Sequence, residues 1–242
     1  MTRRLTVLPP QECALFEREG LHVFPIWNHT HAITKRYLLD LCGDNAPVAK
    51  ITSKYSYSRG RKRKNHIKDE LKWPVHLAVC KGTKVMLLTN YVVEEEDLKN
   101  GSVGTVVDIV YDSPGGPTDP NSNLLYIVVD FPHSTVPPDK AWDLNNPTHI
   151  PVPVATQRCE AKCCSQTTVP LCVCKAISIY KSQGMTVEPG CDWGYVVVGL
   201  PGPNDRSNGA GQELVGMSQA TDIIYLAFAN DEPISLLEMS SN

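Results

Sequence analysis

Between about residues 75 and 155 the sequence breaks into short strands separated by turn signals, while the segments on either side mix strand with helix. No single regular layer accommodates both textures, so the chain is read as an α/β domain split by a β insert. Lys84-Val85-Met86-Leu87-Leu88 predicts one strand of the insert. Gly104 to Tyr111 predicts a second, preceded by Asn100-Gly101, a pair suited to a tight turn with positive φ. Leu125 to Phe131 predicts a third, after the loop Pro114-Gly115-Gly116-Pro117. His149 to Val154 carries Pro151 and Pro153, which confine it to a sheet edge. Short strands with turn signals between them point to a small barrel or sandwich.

The flanks read differently. Leu21-His22-Val23-Phe24 alternates like a strand that Pro25 ends. A helix follows over His31 to Leu41, with Ile33, Tyr37, Leu38 and Leu41 on one face and Gly43 as its stop. Residues 53–72 are polar and basic and predict a surface loop. Val169 to Ile179 predicts one apolar strand, from which Lys181 to Thr186 turns out. Tyr195 to Val198 has the uniform apolar character of a buried strand. A loop over 201–211, a short helix over Glu213 to Ala220 and a closing strand over Ile223 to Phe228 complete the chain.

A hydrophobic share of 42% and a charged share of 20% are those of a soluble globular protein. The net charge of −3 excludes a generally cationic nucleic-acid binder, so any such contact rests on a local patch. The first ten residues hold too short an apolar stretch for a signal peptide, and no run has the length of a membrane span. The expectation is an intracellular protein, nuclear or mitochondrial in a eukaryote, not secreted and without a membrane partner. Its nine cysteines are then reduced thiols or metal ligands.

Cys159, Cys163, Cys164, Cys172 and Cys174 cluster, which raises a zinc site. Their spacing lacks the paired Cys-x2-Cys of zinc ribbons, so they are read as small residues packed on strands, with no metal ligand assigned. His22, His29, His31 and His66 have no acid or cysteine at catalytic spacing and are read as surface or loop residues. The basic run at 59–64 reads equally as a localisation signal, a DNA-contacting loop or a solvated loop. Glu94-Glu95-Glu96-Asp97 reads as a solvated hairpin loop.

Three segments carry a family resemblance. Ala176-Ile177-Ser178-Ile179-Tyr180-Lys181-Ser182-Gln183-Gly184-Met185-Thr186 closely resembles motif V of Pif/RecD-type DNA helicases, an apolar strand ending in Lys-Ser-Gln-Gly. Gly82 to Asn90, followed by Asn100 to Val106, is similar to the start of that family's inserted barrel. Glu213 to Thr221 resembles motif VI, which normally reads Ser-Arg-Ala; here Gln219 stands at the arginine. A weaker match covers Leu21 to Leu41, with Thr34 where the family often has Asn. The resemblance spans about residues 20–230.

It implies the C-terminal half of a superfamily-one helicase: a second RecA-like domain of the P-loop-NTPase type, without the P-loop, interrupted by a small β-barrel like Src-homology-three domains. The implied bounds are 1–78 and 156–242 for the RecA-like parts and 79–155 for the insert. The implied activity of the full protein is ATP-driven 5′-to-3′ unwinding of DNA, with ATP and Mg2+ as cofactors. Its implied partners are single-stranded DNA and an N-terminal RecA-like domain. Ser178, Tyr180, Lys181 and Ser182 would contact DNA, the serines donating to phosphate and Tyr180 stacking on a base. Gln183, Gly184 and Thr186 would line the nucleotide interface. Gln219 would occupy the arginine-finger position, solvent-accessible and near Gly184, with an amide in place of the charge that stabilises γ-phosphate transfer. No Gly-x-x-x-x-Gly-Lys-Ser/Thr occurs in the 242 residues, so this chain alone is expected to bind no nucleotide and hydrolyse no ATP. Asp231-Glu232 mimics a Walker B pair and is read as loop. The alternative is a degenerate remnant acting as a non-enzymatic DNA- or partner-binding module, and a third, weaker class is a zinc module built on the cysteines.

Overall fold

A computed structural model describes residues 8–25, 27–43, 48–57, 71, 73–90, 98–116, 122–134, 142–160, 162–183, 185–188, 190–199 and 212–229. The basic run at 59–64, the acidic run at 94–97, His66, Gly184 and Asp231-Glu232 lie outside the described residues. The chain forms two compact units, one from Met1–Tyr37 with Cys174–Asn242 and one from Leu38–Val173.

The discontinuous unit is built on a parallel sheet. Helix α1 (Pro10–Glu19) begins at a proline, whose missing N–H costs nothing in a first turn. It leads directly into β1 (Gly20–Phe24), and α2 (Trp27–Cys42) follows. The chain re-enters the unit at β12 (Ala176–Ser178), a one-turn helix α3 (Ile179–Ser182), β13 (Tyr195–Gly199), α4 (Gln212–Met217) and β14 (Leu226–Ala229). The sheet order is β12-β1-β13-β14, all parallel. Leu21, Val23, Val196, Val197 and Val198 are fully buried, which is why β1 and β13 read as apolar without alternation. Each such side chain contributes about 1.5–3 kcal/mol through burial. Phe16 of α1 packs with Val197 and Ala227 across the sheet's middle. Gly199 ends β13 because a β-carbon there would overlap the Phe24 ring.

The continuous unit is antiparallel. A five-stranded sheet runs β11-β5-β6-β7-β8, with β5 (Lys84–Leu87), β6 (Val103–Tyr111), β7 (Leu124–Asp130), β8 (His149–Pro153) and β11 (Leu171–Val173). The strands β2 (Ala49–Thr52) and β4 (His76–Val79) pair separately. Ala49, Leu77 and Val79 from that pair share one core with Val85, Val106, Ile127, Val129, Ile150 and Leu171 of the larger sheet. The Asn100-Gly101 turn forms as expected: Gly101 has φ 104 and donates its N–H to Leu87 O at 2.9 Å. The proline-bearing β8 lies at the sheet edge.

A third sheet, β3-β10-β9, joins β3 (Lys54–Tyr57), β9 (Ala155–Arg158) and β10 (Cys164–Thr168). Its anchor is Gln166, fully buried, whose two Nε2 N–H groups are shared among Ser53 Oγ at 3.0 Å, Tyr55 Oη at 3.1 Å and Trp73 O at 3.0 Å. Gln157 Nε2 donates to Gln166 Oε1 at 2.7 Å. Every polar atom of the buried amide is thereby engaged.

Several expectations need correction. Residues 54–57, read as loop, form β3; its side chains are half-buried or exposed, so no apolar alternation marks it. Val169 to Ile179 is not one strand: Leu171–Val173 pairs antiparallel with β5, and Ala176–Ser178 pairs parallel with β1. The compact unit 38–173 holds β2 to β4 and β9 to β11 together with the strands between 79 and 155. His22 is buried on β1, not at the surface. The closing strand begins as a 3-10 turn over Ile223–Tyr225.

Lys175 holds the first unit's entrance together. It is 3% exposed, and its ammonium donates to Arg18 O at 3.0 Å and Gly20 O at 2.7 Å, just where α1 ends. A cation suits the carbonyl end of a helix. The ammonium also lies 5.6 Å from the Trp193 ring centroid and 5.9 Å from that of Tyr37. Replacing Lys175 with Met keeps the stem but strands two buried carbonyls, and is expected to cost about 2–3 kcal/mol, read as a lower urea midpoint with unchanged slope.

Burial, and then the Lys175 charge, push the His22 imidazole down to about 3, against a hydrogen bond with the Glu17 backbone that favours the proton. The unfolded chain therefore takes up this proton from about pH 6.5 downward while the folded chain stays neutral. The His22 contribution is complete above pH 6.5 and is lost as pH falls toward 3, by about 1.4 kcal/mol per unit. Urea midpoints measured between pH 7 and 4 should fall more steeply for the parent protein than for His22→Leu.

Candidate functional site

The segment with the strongest motif begins where β12 leaves the parallel sheet. Carboxyl ends of parallel strands are the usual place for ligands in such folds. Ser178 ends β12 with extended φ −75 and ψ 151, and α3 turns away for four residues. Ile179 and Ser182, three apart, share the inner face of this turn and are buried. Tyr180 takes the outer face with 71% of its surface exposed, Lys181 is half-buried, and Gln183 and Thr186 are exposed.

This sorts the expected DNA contacts into two groups. Tyr180 and Lys181 are presented to solvent. Ser178 and Ser182 are not: Ser178 belongs to a strand with every residue buried, and the Ser182 hydroxyl donates to Ile179 O at 2.8 Å. Both serines are buried, Ser182 because helix periodicity turns it back onto the sheet. The Ser182 carbonyl accepts from Met185 N at 3.0 Å, closing the turn toward Thr186.

The second motif meets the first through backbone. Val187 N donates to Gln219 O at 2.8 Å, Thr221 N donates to Val187 O at 3.3 Å, and Val187 and Ala220 form a parallel bridge. Gly184, beside which Gln219 is expected, lies outside the described residues, and the contact observed is at Val187. The expected solvent exposure is not found. Gln219 is 6% exposed, and its Nε2 donates to Val215 O at 2.6 Å and Ser218 Oγ at 3.0 Å. A neutral amide can bond back to the end of its own helix without carrying a full charge out of water. The side chain of an arginine finger has to face outward, and this one faces in.

The cysteines divide as well. Cys172 lies on β11 and Cys174 follows it, while Cys159, Cys163 and Cys164 converge in the β9–β10 hairpin with all three sulfurs within 4.8 Å of one another. Cys159 is held below the ordinary thiol value by its hydrogen bond with Cys164, and that same bond, with burial, pushes Cys164 up. Sequence spacing missed this grouping, because a turn, not the residue count, brings Cys163 back to Cys159. Lys175 was also missed; a lysine inside an apolar run was its only signal.

No protein-family profile and no curated protein matches the sequence. Solved structures do. The Pif1 helicase from Candida albicans superposes with a TM-score of 0.62 at 21% identity, over 93% of this chain and 51% of its own. Pif1 helicase from Bacteroides in complex with ADP-AlF3 and ssDNA gives 0.58 at 17% identity, over 91% and 42%. A Pif1 helicase described in DNA unwinding at forked dsDNA gives 0.57 at 17%, over 94% and 44%.

The chain has the fold of a Pif1-like helicase C-terminal half. It spans about half the length of the Pif1 chains it matches. Within this Pif1-like fold the parallel sheet carries the 176–186 and 213–221 segments, and the Gln219 backbone joins the second to the first at Val187.

Gln219→Arg in this chain is expected to lower stability by about 1–3 kcal/mol, since a buried position must accommodate a larger, charged group. Chemical denaturation checks it. A fully neutral outcome would mean that the side chain swings outward at no cost.

Proposed function

We propose that this chain is the C-terminal motor portion of an ATP-dependent 5′-to-3′ DNA helicase. In this reading the parallel unit is a second RecA-like domain, and the inserted antiparallel unit is a barrel of the Src-homology-three type. The observation that carries the reading is the Tyr180-Lys181 pair, an exposed ring and an adjacent cation on a turn at the carboxyl end of β12. A flat ring stacks on any base and a cation pairs with any phosphate, which is the chemistry of sequence-tolerant single-strand binding. Likeness to Bacteroides Pif1 bound to ssDNA supports the same partner. ATP and Mg2+ would be held by a P-loop domain that these 242 residues do not include, with Gln183, Gly184 and Thr186 at the nucleotide interface. An intracellular location follows from that role.

The inward Gln219 favours a second reading, a helicase-derived module that binds single strands without driving ATP hydrolysis. The two readings part on catalysis. Joined to a Pif1-type P-loop domain, a motor portion gives DNA-stimulated ATPase and a degenerate module does not.

For the chain itself, fluorescence anisotropy with a labelled oligothymidine should show weak, salt-sensitive binding and no ATP turnover. Tyr180→Ala is expected to weaken binding by about 5- to 100-fold, the range of one lost base stack. Lys181→Ala is expected to lower the salt slope by roughly one phosphate contact. Unchanged affinity in both variants, with folding intact, would remove the α3 turn as the DNA contact.

A further inference from the structure

The β9–β10 hairpin holds a feature that DNA binding does not use. Arg158 ends β9 and Cys164 opens β10, so only residues 159–163 make the connection. Cys159 N donates to Cys164 O at 3.1 Å, and Lys162 N donates to Cys159 O at 2.9 Å. Lys162 has φ 52, a left-handed conformation that non-glycine residues adopt at a cost. That residue doubles the chain back and keeps Cys163 in the turn. In a regular strand Cys163 and Cys164 would point to opposite faces. Here both sulfurs lie within 4.8 Å of each other and of Cys159.

We propose that Cys159, Cys163 and Cys164 form a binding site for a thiophilic d10 divalent cation, zinc in the cell, through three thiolates.

Distances favour it. Zinc–sulfur bonds of about 2.3 Å set tetrahedral thiolates about 3.8 Å apart. Cys159 and Cys163 sulfurs already lie 3.5 Å apart, so enclosing an ion needs adjustments of an ångström or less. The Cys164 N–H points at the Cys159 sulfur at 3.2 Å, an orientation that stabilises a thiolate ligand. Leu71 and Tyr55 pack against the cluster on one side, and Cys163 keeps it open to solvent on the other. Three converging sulfurs with an amide aimed at one exceed what strand packing requires, since alanine or valine would fill the same space. A disulfide would use two sulfurs and leave the third without a role. Three protein ligands leave the fourth zinc position to water. The proposal stands apart from the helicase reading and survives its failure.

The test uses the full reduced chain. Co2+ is titrated as a spectroscopic probe, zinc is then added to displace it, and retained zinc is measured by elemental analysis after dialysis. Expected are about one metal per chain, a near-ultraviolet thiolate-to-cobalt charge-transfer band, and loss of that band on zinc addition. Cys163→Ser alters a half-exposed residue and is expected to fold; it should weaken Co2+ binding at least tenfold, as should Cys159→Ser. Cys172→Ser and Cys191→Ser should leave the band unchanged. Circular dichroism separates lost ligation from lost folding. No band and no retained zinc in the folded parent chain would overturn the proposal. So would a band that Cys163→Ser and Cys159→Ser leave intact, or a reduced chain that binds no Co2+ yet reoxidises to a Cys159–Cys163 disulfide.

Discussion

The buried ammonium of Lys175 is the contact on which the parallel unit turns. It lies between the carbonyl end of α1 and the first strand, and it joins segments more than 150 residues apart in the chain. Its backbone carbonyl accepts from His22 N at 3.0 Å, so one residue pins both the side and the end of β1. A lysine in such a place forfeits its hydration, and only carbonyls and aromatic faces at short range offset that loss. Arg18, Gly20, Tyr37 and Trp193 supply them. Burial first, and then this same charge, keep the neighbouring His22 neutral, which ties the sheet's polar interior to its entrance.

The inserted unit solves its problem by other means. Its main core is apolar and antiparallel, and its third sheet closes around an uncharged amide, Gln166. An amide has two donors and an acceptor to place, so it specifies which strands meet without the penalty of burying a charge. Ser53, Tyr55, Trp73 and Gln157 are drawn from three separate stretches of sequence to satisfy it.

At the candidate site, helix geometry divides the motif. Within four residues of α3, positions 179 and 182 face the sheet and 180 faces solvent. The string therefore splits into a buried Ser182 hydroxyl that closes the turn and an aromatic-cation pair that presents a surface. Gln219 follows the same logic. Its backbone zips the second motif to the first while its amide returns to Val215, so the residue braces the site from within.

Much of this was legible in the residues. Apolar runs at Tyr195–Val198 and Leu124–Val129, prolines that force β8 to an edge, and Asn100-Gly101 at a tight turn all speak through local sterics and burial. The order of motifs around Lys181 pointed to the fold that the structural likeness bears out. What local patterns cannot carry is the choice of partner. Val169 to Ile179 is apolar throughout, and only pairing decides that Leu171–Val173 joins one sheet and Ala176–Ser178 another. Residues 54–57 look like loop because their strand pairing comes from β10, far along the chain. The inward turn of Gln219, the burial of His22 and Lys175, and the meeting of Cys159 with Cys163 are tertiary decisions of the same kind. Each depends on a direction in space set by neighbours distant in sequence, or on a left-handed residue that composition does not announce.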